Sequence, residues 1–97
     1  MFILNPEVAT ELSVTEIRVA ATFVALKSAS RGSMMFTFSE LSAEIVRVEG
    51  CADTEARQAV ETASRALSEK KLFSVESSED DSNPYLLLLD SQVLKKI

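Results

Sequence analysis

Ala66-Leu67-Ser68-Glu69-Lys70-Lys71-Leu72-Phe73-Ser74-Val75 reads as a helix passing straight into a strand. The two lysines complement the negative end of a helix dipole, and Leu72 and Phe73 lead the chain back under a core. Upstream, Asp53 is expected to cap this helix, which runs to about Lys71 and carries Ala56, Ala59, Val60, Ala63, Ala66 and Leu67 inward. Its small residues suit close packing. Downstream, Leu72 to Glu76 and Tyr85 to Leu89 are two strands of a hairpin, joined by a polar loop from Ser77 to Pro84. The Leu86–Leu89 run alone fits helix or strand; its short length and the preceding Asn83-Pro84 turn favour strand.

Further upstream, Gly50 closes a helix that Ser39 is expected to cap, with Leu41, Ile45 and Val48 on its apolar face. Met34 to Phe38 is a short β-prone run before it. Ser13-Val14-Thr15-Glu16 is a capping box, opening a helix with a broad apolar surface (Ile17, Val19, Ala20, Ala21, Phe23, Val24, Leu26) and a breaker at Gly32. Asn5-Pro6 opens a short helical turn through Leu12, and Asp90 or Ser91 caps a last short helix with Val93, Leu94 and Ile97. The chain is one domain over residues 1–97, with its core in 13–89 and extensions at 1–12 and 90–97.

Composition excludes several chemistries. The 97 residues contain no histidine and one cysteine, Cys51. This removes His-dependent nucleophile and acid–base chemistry, His-ligated zinc, internal disulfides and cysteine clusters. With two glycines there is no phosphate-cradling loop. No catalytic residue, metal site or cofactor is expected. Met1 to Leu4 is too short for a signal-peptide core, and no segment spans a bilayer, so a cytoplasmic, intracellular protein without membrane partners is expected. Ten Lys/Arg against fifteen Asp/Glu give a net charge of −5, which repels nucleic acid unless cations concentrate on one face.

The order helix, strand, helix, turn, helix, hairpin resembles the winged helix-turn-helix superfamily over about residues 13–89. The resemblance is carried by Phe38-Ser39-Glu40-Leu41-Ser42-Ala43-Glu44-Ile45, by Ala56 to Leu67, and by the helix-to-strand stretch quoted first. It implies an α+β fold with a three-helix core, a short strand, a C-terminal β-hairpin wing and short terminal helices. It also implies a third helix presented to the major groove of double-stranded DNA. Residues placed there are Thr54, Glu55, Arg57, Gln58, Glu61, Thr62 and Arg65. Of these, Arg57 suits guanine and Gln58 adenine, while Arg57, Glu61 and Arg65 equally fit an i, i+4 ion-pair ladder.

The wing departs from the DNA-binding pattern. Its tip reads Ser77-Ser78-Glu79-Asp80-Asp81-Ser82-Asn83, and three consecutive carboxylates oppose counterion release at a phosphate backbone. Two functions therefore stay open. The first is sequence-specific DNA binding, as a transcriptional regulator or an accessory factor in a DNA transaction, which requires a locally positive third-helix face. The alternative is a protein-interaction module that uses the acidic wing or the apolar termini. Phe2, Ile3, Leu4 and Val8, with Val93, Leu94 and Ile97, also suggest a homodimer. Lys70, Lys71, Lys95 and Lys96 form a basic rim if the last helix folds back near the third.

Overall fold

A computed structural model describes residues 1–30 and 33–97. Asn5 Oδ1 accepts from the Glu7 N–H at 3.0 Å and starts a four-residue helix, α1 (Pro6–Ala9), with Pro6 in its first turn. The Ser13 hydroxyl accepts from the Glu16 N–H (3.2 Å) while the Glu16 carboxylate accepts from the Ser13 N–H (2.9 Å). This reciprocal cap satisfies two N-terminal donors and opens α2 (Val14–Ala29), which ends on Ser30. The breaker expected at Gly32 lies outside the described residues.

Strand β2 (Met35–Thr37) runs directly into α3 (Phe38–Glu49). The cap of α3 is Thr37, not Ser39: its hydroxyl accepts from the Glu40 N–H at 3.1 Å, and its own N–H donates to Glu40 Oε1 at 2.9 Å. Ser39 is already inside the helix. Gly50 closes α3 in the left-handed region (φ 71°), which glycine enters without the steric cost of a Cβ. The apolar face also differs from expectation: Phe38, Leu41, Ser42 and Ile45 are buried, and Val48 faces solvent at 67% exposure.

Helix α4 (Asp53–Glu69) begins one residue earlier in register than the sequence suggests. Ala52 is its cap and makes no side-chain bond, so Asp53 occupies the first helical position, where its charge favours the dipole. Ala56, Ala59, Val60, Ala63 and Leu67 point inward as expected; Ala66 is half-buried, and Ser64 takes a fully buried position instead. After Lys70, Lys71 adopts a left-handed turn (φ 62°) and delivers the chain to β3 (Phe73–Glu76), which pairs antiparallel with β4 (Tyr85–Leu88).

The sheet order is β2-β4-β3, with Phe36 opposite Leu86 and Val75 on Leu86's other side. Three helices pack on this sheet around Phe23, whose ring meets Phe36 (5.0 Å) and Phe73 (4.9 Å) edge to face. Such pairs add about 0.5–1.5 kcal/mol each beyond area burial. The protein is thus an α+β domain of three main helices and small antiparallel sheets.

The ends depart most from expectation. The last helix is a single 3-10 turn (Ser91–Val93), capped by Asp90, after which β5 (Leu94–Lys96) pairs antiparallel with β1 (Phe2–Leu4). Val93 is fully buried, and Phe2, Leu4, Val8 and Leu94 pack against the core. The apolar terminal surface behind the dimer expectation is therefore mostly used within the chain; Ile3 and Ile97 remain exposed. No helix among the described residues is long and apolar enough to cross a membrane.

Candidate functional site

Helix α4 presents Thr54, Glu55, Gln58, Glu61, Thr62, Arg65 and Glu69 to solvent. Arg57 is different. Its guanidinium lies 5.3 Å from the centre of the Phe38 ring, donates to the Ser82 backbone carbonyl and approaches Glu61 Oε1 at 3.6 Å. A cation stacked on an aromatic face and bonded to a carbonyl is held on three sides. The residue best suited to guanine is thus a brace between α4, the start of α3 and the hairpin loop. Nothing local in the sequence marks this, because Ser82 is 25 residues away and Phe38 reads as the end of a strand.

A second contact holds the same loop. Asn83 Oδ1 accepts from the Ser39 N–H at 2.9 Å, and the Pro84 carbonyl accepts from the Phe38 N–H at 2.9 Å. Within the loop, Asp80 Oδ1 accepts from the Ser82 hydroxyl (2.6 Å) and N–H (2.9 Å). These bonds, with a smaller contribution from the Arg57 charge, hold the Asp80 carboxyl below its ordinary range despite a slight opposing effect of desolvation. The acidic loop is therefore held on the start of α3 and tied to α4 through Arg57, with Glu79 and Asp81 exposed.

The α4 residues divide between separate depressions. Thr54, Arg57, Gln58 and Glu61 line one with Asp53. Thr62 and Gln58 face the start of α2, beside Thr15 and Arg18. Glu61 and Arg65 border a groove of about 400 Å³ between α4 and β3, shared with Phe38, Ser68, Glu69 and Val75. Of the expected ladder only the Arg57–Glu61 step forms; Arg65 makes no ion pair among the described residues.

A positive helix face is not what the structure presents. Along α4, Asp53, Glu55, Glu61 and Glu69 outnumber Arg57 and Arg65, and the neighbouring hairpin adds Glu76, Glu79, Asp80 and Asp81. Of the four lysines expected as a basic rim, Lys71 is exposed just past the end of α4 without an ion pair among the described residues, Lys70 bonds the Glu16 carboxylate, and Lys95 and Lys96 lie on the terminal ribbon, whose strand β1 packs on α2. Burial would raise the Glu16 carboxyl, but the Lys70 ammonium and the Ser13 hydroxyl and N–H outweigh it and bring the carboxyl to about 2. Among the described residues no three His, Cys, Asp or Glu side chains gather as a metal site. Comparison of the chain with protein-family models, curated proteins and solved structures finds no match.

Proposed function

We propose that this chain is a winged-helix protein-interaction module whose α4 face and hairpin loop dock a positively charged segment of a partner protein. The winged-helix reading is supported by the order α2, β2, α3, α4, hairpin, and by the sheet order β2-β4-β3. Fold alone assigns no function. The observation that carries the interaction reading is the engagement of Arg57 inside the molecule, which leaves Arg65 as the one unengaged cation on α4.

Against a duplex, that face and its end offer about two unpaired cations, Arg65 and Lys71, to neutralise phosphates, against the roughly 6–10 phosphate contacts that make binding strongly salt-dependent. Its carboxylates would meet the backbone with like charge, whereas a Lys- or Arg-rich protein segment meets them with opposite charge. Sheared genomic DNA presented to the purified protein at ~0.1 M salt, where the screening length is ~10 Å, tests the choice. No retained DNA is expected, together with salt-sensitive binding of a labelled ten-residue peptide of alternating arginine and threonine. Glu79→Lys with Asp81→Lys, which spares the loop-forming Asp80, should weaken that peptide severalfold. Retained DNA fragments sharing a motif would overturn the reading and make α4 a base reader.

A further inference from the structure

The groove between α4 and β3 lies beside an unpaired sheet edge. The Leu89 N–H donates to the Leu72 carbonyl at 3.0 Å, which sets the phase of the β3–β4 ladder. Bonded and non-bonded pairs alternate along antiparallel strands. Ser74 and Glu76 therefore turn their backbone groups toward β4, while Phe73 and Val75 turn theirs outward, where no strand lies among the described residues. In the row Phe36–Leu86–Val75 the first two side chains are buried, but Val75 is 40% exposed and borders the groove with Phe38. The sheet's inner face thus stops one strand short of cover.

We infer that β3 accepts an extended basic segment as a fourth strand, with an arginine or lysine opposite Val75 laid into the α4–β3 groove. A residue opposite Val75 in an added strand points to the same face as Val75. Its alkyl stem would lie along Val75 and Phe38, and its charged head would reach Glu69 and Glu61 on the groove wall. Arg65 sits between these carboxylates in sequence and carries the wall's one positive charge. Main-chain bonds supply affinity in this mode and the groove supplies selectivity. Four residues of β3 give an edge about 13 Å long, room for one short strand.

The inference rests on the basic-partner reading above, and the experiment separates the two. The probe is the arginine–threonine decapeptide, titrated into 15N-labelled full-length protein. Slowed exchange of the Val75 amide on binding is expected, with shifts at Phe38, Ser68 and Glu69. Val75→Pro removes the edge donor, and proline is tolerated on edge strands; it should reduce affinity at least tenfold. Should that variant fail to fold, the exposed pair Glu61→Lys and Glu69→Lys should give a comparable loss with amide dispersion unchanged. Binding that perturbs only residues 53–58 or 77–83 would overturn the strand-addition inference and keep the basic-partner reading. No binding of the peptide would overturn both.

Discussion

Replacing Glu16 by glutamine tests the link that ties the start of α2 to the end of α4. Glu16 is 6% exposed, caps its own helix through Ser13 and bonds the Lys70 ammonium. A glutamine amide oxygen keeps the cap, accepting from the Ser13 N–H, and gives up the ion pair. The fall of the carboxyl from an ordinary 4.5 to about 2 corresponds to about 3 kcal/mol of preference for the charged form. Lys70 is 40% exposed, so solvent screening reduces this, and about 2 kcal/mol is expected at pH 7. Because the folded-state value is depressed, the stabilisation is complete above pH 4.5 and disappears as pH falls through 2. Urea unfolding of both proteins at pH 7, 3 and 2 measures it. The difference between them should shrink by more than half at pH 3 and nearly vanish at pH 2. An unchanged difference across that range would show that Glu16 acts through packing alone, refuting the linkage.

Ser64 is fully buried and its hydroxyl has no hydrogen-bond partner among the described residues; Ser64→Ala should raise stability by about 1 kcal/mol, read as a higher urea midpoint. Gly50→Ala meets open space but sits at φ 71°, so it should cost about 1 kcal/mol and lower the melting temperature by roughly 4–8 °C. Arg57→Ala should accelerate amide exchange in residues 77–84 at least tenfold while leaving the β1–β5 amides unchanged, since it removes the brace on the hairpin loop.

What could be read from the chain was set by short-range chemistry. The Ser13–Glu16 cap, the Gly50 stop and the two hairpin strands each depend on neighbours within a few positions, and each appears in the structure. The Thr37–Glu40 cap had an equally local signature, Thr-x-x-Glu, but the β-prone run masked it because strand and helix share no connecting loop. The pairing of β1 with β5 left no trace, since it joins residues some ninety positions apart through three ladder pairs. The same limit applies at the candidate site. Arg57, Glu61 and Arg65 fall on one helix face by spacing, yet the position of Phe38 and the Ser82 carbonyl decides that Arg57 turns inward. Val48 shows the converse: helical spacing puts it near Ile45, yet it stays 67% exposed at the rim of an open depression shared with Arg18, Ala21 and Thr22 of α2.

The terminal ribbon has a mechanical consequence. The Ile97 N–H donates to the Met1 carbonyl, so the two ends of the described chain leave the domain side by side. A force drawing them apart loads the outermost bond of the ribbon first and peels the bonds in sequence, rather than shearing all of them together. β5 would peel away first, because β1 is tied to α2 through the Ser28 hydroxyl at both the N–H and the carbonyl of Phe2, and the opening would stop at the Asn5 N–H bond to the Val93 carbonyl, where the fully buried Val93 side chain anchors the strand to the core. The domain therefore has a compliant gate at its ends in series with a stiffer body.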